Sequence, residues 1–219
     1  DSSTSRGLGD VYKRQDAPLL LILPGSRPGE IRLMTPVYEQ VASRLMALRP
    51  ELQIAVVVAG TVADDVSARV AAWPFRAHRV TEADKYAAMK AATVALATSG
   101  TVSTELALAG VPMVIGYRFA PVSYAIMKPF FTGKYATLFN HAADAEIARE
   151  LIQADATTDR FVTELSRLLD DPAARAHQAA RQTAALDLMG REGRDPSEVA
   201  AETLVSLLRG DPAGSRTGS

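Results

Sequence analysis

The chain has 219 residues, with 24 Lys and Arg against 25 Asp and Glu, a net charge of −1. That balance provides no global basic field for nucleic acid, while 47% hydrophobic and 22% charged residues are the composition of a globular chain of one domain or one and a half. The chain has no cysteine, which excludes disulfides and thiolate-bound zinc; His78, His141 and His177 stand too far apart in sequence for a metal-binding pair, and no apolar run reaches the roughly 18 residues of a membrane-spanning helix.

Residues 1–15, DSSTSRGLGDVYKRQ, are polar and lack the apolar segment of a signal peptide. They read as a non-native leader, and the native protein is expected to begin well upstream. From residue 16 onward, β-rich apolar runs occur at 19–23, 53–59, 75–80, 93–98 and 112–117, with a weaker one at 135–139. Helix-period segments lie between them at about 35–49, 62–72, 84–92, 101–109 and 121–131. Alternation of this kind predicts a doubly wound α/β domain over 16–155, with a parallel sheet covered on both faces. After residue 143 the pattern is helical, at 144–153, 158–170, 173–189 and 197–209. We expect a helical C-terminal extension over 156–210 and a disordered tail at 211–219.

In a doubly wound sheet, ligands bind outside the carboxyl ends of the strands, which singles out the turns. The first is LPGSRPGE, residues 23–30. Gly25 permits a tight turn, Ser26 keeps it slim, and Arg27 offers a planar fork of donors suited to phosphate. An ordinary βα loop with a solvated arginine is the plainer reading.

A second turn, Ser99-Gly100-Thr101, opens a helix directly after a strand. A helix N-terminus presents unpaired N–H groups and partial positive charge, a natural seat for an anion. Gly100 lets a phosphate approach the backbone, and the two hydroxyls add donors. Glu105 lies four residues beyond Thr101, roughly 5–6 Å along the axis. That offset matches the step from a nucleotide's diphosphate to its ribose, whose hydroxyls a carboxylate can accept. The competing reading is N-capping by Ser99 or Thr101, with Glu105 answering the helix dipole.

A third turn holds Thr81 with Asp84 three residues on, a capping-box variant that could also face a nucleobase. Beyond it, Leu106 to Ala143 contains no Asp or Glu, and residues 117–139 hold seven of the thirteen aromatic residues together with Arg118, Lys128 and Lys134. An aromatic, basic and acid-free segment suits a membrane interface or a lipid phosphate; core filling is the alternative. Asn140 and His141 follow it, facing a cleft or closing a turn.

LPGSRPGEI, ATSGTVSTELALAGVPMVIGYR and KYATLFN…IARELIQ, in this order, resemble the lipid-A-disaccharide synthase family over roughly residues 19–209. The resemblance implies the C-terminal, Rossmann-like UDP-sugar-binding half of a GT-B glycosyltransferase. It implies transfer from UDP-2,3-diacylglucosamine to 2,3-diacylglucosamine 1-phosphate in lipid A biosynthesis, in the cytoplasm and peripheral to the inner membrane, with no metal and no cofactor. Ser99, Gly100 and Thr101 would then cradle the diphosphate and Glu105 hold the ribose, with Gly25 and Ser26 also in the substrate site. Arg27 would stabilise the departing UDP, and Arg118 and Asn140 would contact substrate. Where many members carry Leu-Pro-Asn and a Gly-containing turn, this chain has Phe139-Asn140-His141-Ala142-Ala143. The domain that precedes this half in the family, with the acceptor site and the general base, is not in the sequence, so we expect weak donor binding without turnover. Other readings are a lipid II N-acetylglucosaminyltransferase-like or UDP-N-acetylglucosamine 2-epimerase-like enzyme. A different class is a non-catalytic nucleotide-binding module, or a homodimer formed through the C-terminal helices.

Overall fold

The computed structural model describes residues 17–58, 60–98, 100–119 and 134–190. Its strands are β1 (Leu19–Leu23), β2 (Gln53–Val58), β3 (His78–Thr81), β4 (Val94–Thr98), β5 (Met113–Tyr117) and β6 (Arg149–Ile152). Its helices are α1 (Pro28–Leu48), α2 (Ala63–Ala71), α3 (Lys85–Ala91), α4 (Thr101–Leu108), α5 (Leu138–Ala142), α6 (Thr158–Asp170) and α7 (Pro172–Leu188). The strands form a six-stranded sheet in the order β3-β2-β1-β4-β5-β6, and every neighbouring pair is parallel.

Each residue of LLLIL in β1 is buried, because the sheet has helices on both faces. Successive side chains serve opposite faces. Leu20 and Ile22 join a core with Met34 and Tyr38 of α1 and Phe161 and Leu165 of α6. Leu19, Leu21 and Leu23 join a second core with Met89 of α3, Leu106 of α4 and Leu186 of α7. The expected helical extension thus begins with two helices that complete the layers of the sheet. α7 is tied down by polar contacts as well: the Gln178 and Gln182 side-chain amides donate to the carbonyls of Met113 and Val111, at 2.8 and 3.2 Å.

Three stretches differ from the expectation. α1 begins at Pro28 rather than near residue 35. Proline at the first helical position has no N–H to leave unpaired, and Glu30 closes a capping box with Arg27. Pro36 sits inside the helix, which continues across it because Met34, Val37 and Tyr38 bury on either side. The expected strand at 135–139 is instead a turn running into α5. The Glu150 carboxylate pulls that turn inward, accepting from Ala136 N, Thr137 N, Thr137 Oγ1 and Asn140 Nδ2 at 2.6–2.9 Å. Finally, Arg149–Ile152, expected within a helix at 144–153, is the edge strand β6, paired with β5 from Val114↔Arg149 to Tyr117↔Ile152. Here the free edge of β5 overrides a sequence of helix formers. The helices expected at 121–131 and 197–209 fall outside the described residues.

Gly116 in β5 has no room for a side chain. A Cβ there would stand 2.5 Å from Phe161 Cζ and 2.9 Å from the Tyr38 hydroxyl. Gly116→Ala is therefore expected to destabilise the domain by about 1–3 kcal/mol, read as a lower urea midpoint at unchanged m-value.

Candidate functional site

The chain leaves β1 toward α1 on one face and leaves β4 toward α4 on the other, yet β1 and β4 are direct neighbours. Their diverging connections open a crevice at the carboxyl end of the sheet, the switch point where such folds bind ligands. A cavity of about 240 Å³ lies there. It brings together Gly25, Ser26, Arg27 and Glu30 from the first turn, Gly100, Thr101 and Glu105 from the second, and Glu82 and Lys85 from the third. Two turns singled out in the sequence, some 70 residues apart, thus form one wall-to-wall site.

The first turn is organised around Glu30, which is only 6% exposed. Its Oε2 accepts from the backbone N–H groups of Ser26 and Arg27 at 3.1 and 3.3 Å. Its Oε1 accepts from the Arg27 guanidinium at 3.0 Å and from the Tyr117 hydroxyl at 3.3 Å. Gly25 adopts a φ of 109°, and a Cβ there would meet Glu30 Oε2 at 2.5 Å. The glycine is needed because the turn wraps its own carboxylate. The loop's amides are consequently committed to Glu30, while the Arg27 side chain remains 77% exposed at the rim. The turn motif does not single out Glu30; its position three residues after Arg27, in the first turn of α1, was the available signal.

The second turn is built the opposite way. Gly100 caps α4 with φ 150° and ψ −163°, a region nearly reserved for glycine, and no side chain caps the helix. A Cβ on Gly100 would meet nothing within 4 Å, so the backbone faces open space. Thr101, the first residue of α4, is exposed. The Ser103 hydroxyl donates to the Gly100 carbonyl at 2.7 Å, which braces the turn from beneath. Capping by Thr101 is not what this helix start uses. Ser99 lies outside the described residues.

Glu105 lines the same cavity, with its side chain one-quarter exposed. Its Oε2 lies 2.9 Å from Lys85 Nζ, which also contacts Glu82 Oε1 at 2.6 Å. Burial by itself would lower the Lys85 pKa, but hydrogen bonds to Glu82 and Glu105 outweigh it and raise the value to about 12. A folded-state value above the unfolded one means that the contribution is fully present below the ordinary lysine range and is lost only as pH rises through about 12. The ammonium stays charged throughout the neutral range. Beneath the cavity, Thr98 meets the Tyr38 hydroxyl at 3.1 Å. Burial drives the Tyr38 phenol far up, the Thr98 contact opposes this, and the Glu30 charge adds to it.

Asn140 and Arg118 are not among the residues lining this cavity. Asn140 is fully buried. Its Oδ1 accepts from Ile147 N and Ala148 N, and its Nδ2 donates to Ala148 O and Glu150 Oε1, at 2.8–3.1 Å. Every hydrogen-bonding position of the amide is occupied in closing the turn before β6, the second of the two readings open in the sequence. Arg118 follows Tyr117 and turns to the other side, as alternation along a strand requires. It donates to the Ala156 carbonyl and lines a separate hollow with Arg44, Thr157 and Asp159. The Thr81 hydroxyl donates to the Asp84 carboxylate at 2.8 Å; Asp84 is the N-cap residue of α3, but no side chain caps that helix, so the capping box expected from their spacing is not formed. Most of the aromatic, basic segment lies outside the described residues, which contain no helix long and apolar enough to cross a membrane.

Glu30→Ala removes the acceptor that fixes the first turn. Amide hydrogen exchange at Ser26 and Arg27 is expected to accelerate at least about tenfold, with a loss of about 1–3 kcal/mol in stability. Unchanged protection factors at both amides would mean that the loop holds its shape without the carboxylate.

The sequence matches the profile of the lipid-A-disaccharide synthetase family over residues 8–204. It is 38% identical over 214 residues to the lipid-A-disaccharide synthase of Rhodospirillum centenum, covering 95% of this chain and 53% of that protein. With the enzyme of the same name from Paramagnetospirillum magneticum it shares 38% over 218 residues, covering 95% and 55%. The chain therefore spans about half the length of the curated relatives it matches. Among solved structures it resembles the spinosyn rhamnosyltransferase SpnG, with a TM-score of 0.57 at 14% identity, covering 85% of this chain and 45% of that one. It also resembles S. aureus MnaA, solved with UDP, with a TM-score of 0.58 at 10% identity, covering 96% and 51%. These neighbours share the Rossmann-like, GT-B-type fold, and at such identities the likeness speaks for the fold alone.

Proposed function

The chain belongs to the lipid-A-disaccharide synthetase family, and from that premise we propose that it forms the donor-binding half of a glycosyltransferase. The donor is UDP-2,3-diacylglucosamine and the acceptor 2,3-diacylglucosamine 1-phosphate. The observation that carries this reading is the uncapped, open start of α4 at the β1–β4 crevice, with a carboxylate one turn further along in the same cavity.

The chemistry follows from those positions. The free N–H groups at Gly100 and Thr101, with the Ser99 and Thr101 hydroxyls, receive the diphosphate, and the partial positive charge of the helix end favours it. Glu105 accepts from the ribose hydroxyls. When the acceptor hydroxyl attacks the anomeric carbon, the bond to UDP breaks and negative charge grows on the departing phosphate oxygen. Arg27, exposed at the rim and tethered at one nitrogen to Glu30, is assigned to that oxygen, since Lys85 is already held between Glu82 and Glu105. Donors fixed before the reaction stabilise such charge without reorganising. The first turn, with its amides already engaged by Glu30, contributes through Arg27 rather than through its backbone. Asn140 acts in this account as the pin of the α5–β6 turn, and Arg118 has no assigned donor contact.

At about 240 Å³ the cavity is smaller than the roughly 300–1,000 Å³ of a complete ligand site. Half of a cleft that closes against a second domain has this character. Acceptor site and general base are assigned to that domain, and the residues of this half bind the nucleotide. In this reading the working enzyme acts at the cytoplasmic surface of the inner membrane, where acylated substrates reside.

Calorimetry with UDP and with pyrophosphate tests the assignment. Glu105→Ala is expected to weaken UDP about 10- to 100-fold, the worth of hydrogen bonds to a charged group, while pyrophosphate binding changes little. Equal losses for both ligands would remove Glu105 from the ribose. A preference for unacylated over acylated UDP-sugars would turn the reading toward the N-acetylglucosamine enzymes.

A further inference from the structure

We propose that Lys85 is a positioning residue that aims the Glu105 carboxylate at the sugar ring of the nucleotide, so that ribose recognition is assembled from α3 as well as α4. The inference rests on the donor-site reading above and adds to it a residue that the turn motifs did not indicate.

The sheet does not bring α3 and α4 together by strand pairing. β3, which leads into α3, is separated from β4 by β2 and β1. Contact between the tips of the two helices has to be made by side chains, and Lys85 makes it. Its ammonium sits between Glu82 Oε1 at 2.6 Å, on its own turn, and Glu105 Oε2 at 2.9 Å, across the cavity wall. The Lys85 side chain is 11% exposed and that of Glu105 is 25% exposed. A lysine this buried needs a counter-charge, and Glu82 alone, three residues back, would supply one. The reach to Glu105 is the part that local charge balance does not require.

That reach has a defined consequence for the carboxylate. Glu105 Oε2 is shielded from solvent and has no hydrogen-bond partner of good geometry; the Lys85 ammonium, 2.9 Å away, holds that oxygen as an ion pair. Oε1 is left to accept from the cavity, and one oxygen carries enough lone-pair capacity for a pair of vicinal hydroxyls. An unbraced glutamate on a helix surface samples several rotamers and loses that freedom on binding. Bracing it beforehand removes the cost and fixes the direction of the free oxygen. The raised pKa of Lys85 keeps the brace charged over the whole range in which a nucleotide would bind.

The test uses the 219-residue chain, with UDP, 2′-deoxy-UDP and pyrophosphate titrated by calorimetry against wild type, Lys85→Met and Lys85→Arg. Wild type is expected to prefer UDP over the deoxy analogue by about tenfold. Lys85→Met should reduce that preference to less than about threefold, with pyrophosphate affinity held within about threefold. Lys85→Arg, which can still bridge two carboxylates, should restore it. If Lys85→Met does not fold, Lys85→Gln gives the same reading, being too short to span both partners. An unchanged preference in the Met or Gln variant overturns the proposal. So does a parallel loss of UDP and pyrophosphate affinity, which would make Lys85 a direct phosphate ligand. A wild-type chain that binds UDP without any preference would instead overturn the ribose role of Glu105, and the brace with it.

Discussion

The start of α4 is left without a cap, and the rest of the site depends on that. A helix N-terminus normally answers its unpaired N–H groups with a side chain. Here the cap is Gly100, in a backbone conformation that other residues avoid, with open space in front of it. The stability lost at that turn is compensated beneath it. Ser103 ties back to the Gly100 carbonyl, Leu106 and Ala107 bury against the sheet, and Gln178 and Gln182 of α7 hold the α4–β5 connection from outside. The helix is anchored everywhere except at the end that faces the cavity.

The neighbouring turn shows the contrasting solution. Its amides and its arginine are gathered by a buried carboxylate, Glu30, which Tyr117 also reaches from β5. One turn of the cavity is therefore self-satisfied and rigid, and the other is unsatisfied and receptive. Between them the pairing of β1 with β4 sets the spacing. That pairing is a property of the whole sheet, so the site depends on the packing beneath it, including the Phe161, Tyr38 and Gly116 contact.

Much of this was legible in the sequence. LLLIL, QIAVVV and TVALAT read as buried parallel strands because their interiors are continuously apolar, and the turns after them could be located for the same reason. The Gly100 turn and Glu105 could be assigned to one crevice from their place after a strand and their spacing, and they line one cavity. What escaped was information held in contacts between distant segments. RELI reads as helix, and it becomes a strand only because β5 offers a free edge and Glu150 gathers the turn before it. Asn140 carries the same amide whether it faces a cleft or pins a turn; four hydrogen bonds to groups on Ile147, Ala148 and Glu150 decide the matter. Lys85 escaped because its reach to Glu105 joins segments twenty residues apart.

The most direct measurement of the central claim is an amide titration of the isotopically labelled chain with UDP. The account predicts that the largest shifts fall on Gly100, Thr101 and Val102, with smaller ones at Lys85 and Arg27, and none at Thr157 or Asp159 beside the hollow that Arg118 lines. Shifts centred on that hollow, or an unperturbed α4 tip at saturating nucleotide, would contradict it.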